Sequence, residues 1–175
     1  MDGGRTLRKQ LARLLKPKLY VSHIFEVSLE HLTQLGMKGI MVDLDNTLTP
    51  WNSEVLAPET IAWLKAAKGY GFKVCMVSNN KGERIDRIAS FLEIPFVARA
   101  NKPLRRAFIR GLEVLDTKPY ETVVIGDQVF TDVLGGNRLG MYTILVIPIS
   151  RIEFVGTRLM RIPERALLSL IRRPD

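Results

Sequence analysis

The sequence has little cysteine, little histidine and few aromatics: one Cys, two His and 7% Phe, Trp and Tyr among 175 residues. A single thiol, Cys75, excludes an internal disulfide framework and suits a reducing compartment. It sits in the apolar run Val74-Cys75-Met76-Val77, which reads as core. His23 and His31 fall in no motif and read as surface or packing residues. Aromatics are nearly absent from both ends of the chain, which argues against base stacking on single-stranded nucleic acid. No apolar stretch is long enough to span a bilayer, and no secretory apolar region follows the N-terminus. The expected location is the cytoplasm. There is no internal repeat or low-complexity linker, so residues 1–175 are expected to form a single domain, with a catalytic core at about 38–150.

The net charge is +8, and it is unevenly placed. Residues 1–20 carry six Lys/Arg against one acid, residues 150–175 six Arg against three acids, and residues 21–149 balance at fourteen each. A neutral body with basic ends suggests a catalytic unit with surface-binding appendages. Leu7, Leu11, Leu14 and Leu15 share a helical face at one end; Leu159, Ile162, Ala166, Leu167, Leu170 and Ile171 do so at the other. Basic amphipathic helices of this kind lie in the interface of an anionic membrane, or pack on the sheet with a solvated basic face.

The body alternates short apolar runs with amphipathic stretches, the pattern of an α/β parallel sheet. Five strands are expected: Gly39–Val42, Lys73–Val77, Phe96–Arg99, Thr122–Ile125 and Tyr142–Ile147. Their Val and Ile content and low charge fit strands covered on both faces. Helices fill the gaps, one opening at Pro58 and stopped by Gly69 and Gly71, others over Arg84–Leu92, Leu104–Leu115 and Val133–Leu139.

Each strand delivers polar residues at its C-terminal end, where parallel sheets bind ligands. The first leads into Asp43-Leu44-Asp45-Asn46-Thr47, the second into Ser78-Asn79-Asn80, the third to Asn101-Lys102-Pro103, and the fourth into Gly126-Asp127 with Thr131-Asp132 beyond. Taken singly, Ser78 is equally a helix cap, Lys102 a surface lysine and Asp132 an N-cap. Taken together, the acids suit a hard divalent cation, magnesium beside a phosphate, and Ser78 and Lys102 suit phosphoryl oxygens. Thr47 and Asn79 join them as phosphate-binding candidates.

This ordered set resembles the haloacid dehalogenase (HAD) superfamily of phosphohydrolases. The resemblance implies a Rossmann-like three-layer fold with a five-stranded sheet of order 5-4-1-2-3. It implies Asp43 as nucleophile and metal ligand, with an aspartyl-phosphate intermediate. Asp45 becomes the general acid and base, its backbone carbonyl also reaching the metal. Ser78 and Lys102 hold the phosphoryl group, Asp127 binds magnesium, and Asp132 orients Lys102 or metal waters. Superfamily members with an acid at the Asp45 position hydrolyse phosphate esters, and phosphomutases keep it too.

The spacing bears on the substrate. Asp43 to Ser78 spans 35 residues and Ser78 to Lys102 spans 24, each already filled by one helix and a strand. Neither leaves room for a cap domain, so a capless, open site is expected, suited to a large substrate. The short basic lead with Leu19-Tyr20-Val21, the run from Gly39 to Leu48 and Gly126-Asp127-Gln128 with Thr131-Asp132 are similar to the YqeG branch of class IIIA, related to the phosphatidylglycerophosphate phosphatases. The resemblance implies removal of the terminal phosphate from phosphatidylglycerophosphate, an anionic phospholipid headgroup; the basic, partly apolar ends agree with peripheral contact at the cytoplasmic face of a membrane, and the scarce aromatics with no specific nucleic-acid partner. A soluble phosphatase for a nucleotide, a nucleic-acid end or a phosphoprotein is the alternative, and a binding module with a vestigial site a third reading.

Overall fold

The structure, a computed structural model, describes residue 10 and residues 12–150. The expected C-terminal amphipathic helix lies outside them, as do Leu7 and Leu11 of the N-terminal face. The elements in chain order are β1 (Leu19–Val21), α1 (Leu29–Gln34), β2 (Gly39–Val42), α2 (Pro58–Gly69), β3 (Lys73–Val77), α3 (Glu83–Leu92), β4 (Phe96–Val97), α4 (Arg105–Leu115), β5 (Thr122–Gly126), α5 (Leu134–Asn137) and β6 (Tyr142–Val146).

All strand pairs are parallel, in the order β1-β6-β5-β2-β3-β4. This corrects the expected five-stranded sheet: among the described residues the sheet has six strands, because Leu19–Val21 pairs with β6 through Leu19↔Ile144 and Val21↔Val146. A three-residue edge strand shows no alternation long enough to read. The other five are neighbours in the succession β6-β5-β2-β3-β4.

Successive strand residues feed opposite layers, as the period of two requires. Ile40, Val42, Val74, Met76, Val123 and Ile125 pack with Trp63, Leu64, Ile85 and Ile88 of α2 and α3. Met41, Cys75, Val77 and Val124 point the other way, onto Phe108 and Leu112 of α4. Helices therefore cover both faces, and β2 is buried along its whole length. Burial pushes the Cys75 thiol up to about 12, so it stays protonated and inert. Trp63 satisfies its indole N–H by donating to the Val27 carbonyl at 2.8 Å.

Turns fall where the residue types allow. Pro58 opens α2 and Gly71, at φ 88°, follows its end. The N-terminal segment docks on the body: Leu15 packs with Val129, Val133 and Leu145, and Asn137 Nδ2 donates to the carbonyls of Leu14 and Lys16 at 2.8 and 3.0 Å. Between residues 43 and 102 the chain builds only α2, β3, α3 and β4, so no cap domain is inserted among these described residues. None of the described helices is long and apolar enough to cross a membrane.

Candidate active site

Register brings the site together. Val42 lies opposite Met76 on one side and Ile125 on the other, so the loops after β2, β3 and β5 leave the sheet at one level. The Asp43 N–H still donates to the Ile125 carbonyl at 2.9 Å, which carries the ladder one residue past β2. Asp43, Ser78, Lys102, Asp127 and Asp132 are all buried.

Lys102 is the centre. Its Nζ donates to Asp43 Oδ1 and to Asp132 Oδ1, each at 2.7 Å, with its side chain 3% exposed. Carboxylate oxygens of Asp43, Asp127 and Asp132 lie within 4.8 Å of one another. Burial pushes the Asp43 carboxyl up to about 6; Lys102 pulls it down, and Asp132 adds to the rise. For Lys102, burial acts to lower the ammonium, but the charges of Asp132 and Asp43 outweigh it and hold the group above its usual range. Among the described residues, one buried ammonium stands against three buried acids, an arrangement that suits a further cation.

The loop after β2 is held by Asn46, which adopts φ 61°, a conformation Asn tolerates well. Its Oδ1 accepts from the N–H groups of Trp51 and Ser150, both at 3.2 Å, and its carbonyl from Ile149 at 3.1 Å. Thr47 Oγ1 is buried with no hydrogen-bond partner among the described residues. Ser78 is buried and its Oγ accepts from the Asn80 N–H at 3.1 Å. The Asn79 amide is taken up by Lys102: it accepts from the Lys102 N–H at 2.7 Å and donates to the Lys102 carbonyl at 3.3 Å. The peptide from Lys102 to Pro103 is cis.

Asp45 stands at the rim. Arg84 Nη2 donates to both of its oxygens at 2.8 Å, and Asn80 Nδ2 to Oδ2 at 2.6 Å. Asn80 closes the polar run Ser78-Asn79-Asn80 without a role that the sequence singles out, and Arg84 lies in a stretch that reads as helix surface.

Asp132 enters from a π-turn over Val129–Val133, an irregularity that often marks functional sites. Its Oδ2 accepts from the Gln128 N–H and Thr131 Oγ1, each at 3.2 Å. Gly126 makes room for it: a Cβ there would meet the Asp132 carboxyl carbon and lie 2.6 Å from its Cβ. Gly126→Ala is therefore expected to displace Asp132 from Lys102, costing about 1–3 kcal/mol of stability and at least about a hundredfold in activity. Thermal melts and phosphate release measure the two effects, and an unchanged rate would contradict this packing account.

The oxygen-rich donor set suits a hard cation. The three clustered carboxylates, the excess of acid over ammonium and the Thr47 hydroxyl, which has no hydrogen-bond partner among the described residues, fit a hard divalent cation beside a phosphoryl group. A capless parallel α/β sheet with this carboxylate–lysine cluster beyond its strand ends defines a HAD-type phosphatase, a phosphomonoesterase.

Comparison with known proteins narrows the class. A family model described as mitochondrial PGP phosphatase matches residues 5–94, and a HAD-hydrolase-like model matches residues 99–147. The probable phosphatase YqeG of Bacillus subtilis is 42% identical over 163 residues, 93% of this chain and 95% of its own. The phosphatidylglycerophosphate phosphatase 1 of Arabidopsis thaliana, chloroplastic/mitochondrial, is 29% identical over 87% of this chain; the match spans 47% of that protein. An uncharacterized Listeria monocytogenes protein shares the fold at a TM-score of 0.53 and 22% identity, over 75% of this chain and 98% of its own. The chain belongs to the PGP phosphatase family of HAD phosphatases, beside YqeG.

Proposed function

We propose that this phosphatase works with magnesium through an aspartyl-phosphate on Asp43, and that it removes the terminal phosphate of phosphatidylglycerophosphate. The observation that carries the chemistry is the buried cluster in which Lys102 bridges Asp43 and Asp132, 2.7 Å from each, with Asp127 alongside. The substrate reading is supported by the name of the Arabidopsis relative, by the uninserted site and by the basic charge at both ends of the sequence.

Asp43, the Asp45 carbonyl and Asp127 would hold magnesium, which when bound offsets the charge on the phosphoryl oxygens. An Asp43 oxygen attacks phosphorus in line, the bond to the ester oxygen breaks, and the departing alkoxide takes a proton from Asp45. Asp45 then takes a proton from water, whose oxygen attacks the aspartyl-phosphate and releases inorganic phosphate. Lys102, Ser78 and Thr47 hold the phosphoryl oxygens in both steps. Asn79 acts on them through the Lys102 backbone, and Asp132 aims the lysine.

With magnesium, the purified full chain should release phosphate from phosphatidylglycerophosphate in mixed micelles, with kcat/KM about tenfold or more above that for soluble monoesters. It should also sediment with anionic vesicles at moderate salt. Activity confined to soluble esters would overturn the lipid assignment, and failure to sediment would overturn the peripheral membrane contact.

A further inference from the structure

Asp45 accepts four hydrogen bonds. Arg84 Nη2 reaches both oxygens at 2.8 Å, Asn80 Nδ2 reaches Oδ2 at 2.6 Å, and the Asn52 N–H reaches Oδ1 at 3.0 Å. A carboxylate offers about four lone-pair positions, so neither oxygen is open to a leaving group. For Asp45 to face the substrate, a donor must move away. The Asn52 donor is backbone and Asn80 is neutral and short. Arg84 is the donor on a long stem: it projects from the second residue of α3 with its side chain 15% exposed, and its Nη1 donates to the Ser53 carbonyl at 2.8 Å.

Another anion able to accept its fork draws a guanidinium from a carboxylate, and phosphate is such a partner. The phosphoryl group being transferred already faces Lys102 and Ser78. An anion for Arg84 must therefore sit on the leaving-group side, next to where Asp45 acts. The surroundings favour negative charge there. The N-terminus of α3, capped by Gly82 at φ 106°, has no side-chain cap on its N–H groups, and Lys81 adjoins it. Of the two acids in the first turn of α3, Glu83 is paired with Arg87 at 3.3 Å, which leaves Asp86 to set against this positive charge.

We propose that Arg84 exchanges Asp45 for a second phosphate carried by the leaving alcohol, so that substrates bearing two phosphates across a short alcohol release the acid and single-phosphate esters do not. This rests on the reading of Asp45 as the group that faces the leaving oxygen. A phospholipid headgroup with a diester and a terminal monoester has this chemistry, as does its water-soluble deacylated form.

Three probes with magnesium separate the possibilities: glycerol 3-phosphate, deacylated glycerophosphoglycerophosphate, and phosphatidylglycerophosphate in mixed micelles. Wild-type kcat/KM is expected to favour the soluble two-phosphate probe over glycerol 3-phosphate by about thirtyfold, the worth of one charge-assisted hydrogen-bond pair. Arg84→Ala should lose that preference by moving the two rates in opposite directions, lowering the first and raising the second. Arg84→Lys, which keeps charge without the fork, should fall between, and it decides the matter if Arg84→Ala does not fold. An equal loss on both probes would overturn the proposal, since Arg84 would then only position Asp45. A lipid turned over by an enzyme that shows no two-phosphate preference would overturn it while sparing the lipid reading. An inert lipid beside a strongly preferred soluble two-phosphate probe would do the reverse.

Discussion

Asp43→Asn is expected to lower phosphate release by a factor on the order of 10⁴ or more and, in the metal-free protein, to raise the melting temperature at neutral pH. The loss of rate follows from removing the proposed nucleophile. The gain in stability follows from the burial of Asp43, which pushes its carboxyl from 3.8 up to about 6. A carboxyl raised on folding contributes its stability in the protonated form. That contribution is fully present below 3.8 and is lost as pH rises through about 6. The metal-free wild type therefore holds a destabilising charge at neutral pH that a neutral amide in its place would lack, and the variant keeps Lys102 paired with Asp132 at 2.7 Å. Melts at pH 5 and pH 7.5 check the sign: the advantage of the variant should widen at the higher pH. A variant that melts no higher than wild type at either pH would contradict the view of this site as strained by its own acids.

Removing divalent metal is expected to cut the rate by about 10³-fold or more, with magnesium restoring it. The cluster of Asp43, Asp127 and Asp132 holds carboxylate oxygens within 4.8 Å, and among the described residues only one buried ammonium faces them. Magnesium should also raise the melting temperature of the wild type, since a ligand bound to the folded state stabilises it by mass action. Asp127→Ala should lose both responses. Full activity in the presence of a chelator, or an Asp127→Ala variant still stabilised by magnesium, would remove the metal from the mechanism.

Much of this site was legible because it is built at strand ends. A buried strand such as Gly39–Val42 announces itself by composition, and acids placed directly after it at Asp43 and Asp45 are costly without a cation. The same logic marks Asp127, whereas Ser78 stands out only as one of the polar residues that the strand ends deliver together. What stayed hidden depends on closure in space. Arg84 lies on an amphipathic helix whose apolar face, Ile85 and Ile88, dominates the pattern, so its charge reads as solvated. Only the fold carries it to Asp45, 39 positions away. The expected strand Phe96–Arg99 stops at Val97 because Arg99 turns to φ 48°. The Arg99 and Ala100 N–H groups then donate to the carbonyls of Asn80 and Ser78, both at 3.0 Å. The helix expected from Val133 to Leu139 is only Leu134–Asn137, since the π-turn before it uses the residues that aim Asp132 inward. Neither a left-handed turn at Arg99 nor a widened turn at Val129–Val133 has a compositional signature.

The short strand Leu19–Val21 has a bearing on handling the protein. It lies along β6, whose residues Thr143–Val146 are all buried, and its pairing occupies backbone groups that would otherwise face water. A truncation that began after residue 21, or a fusion that pulled this segment away, would bare a flat, apolar ribbon border that invites strand-to-strand adhesion between molecules.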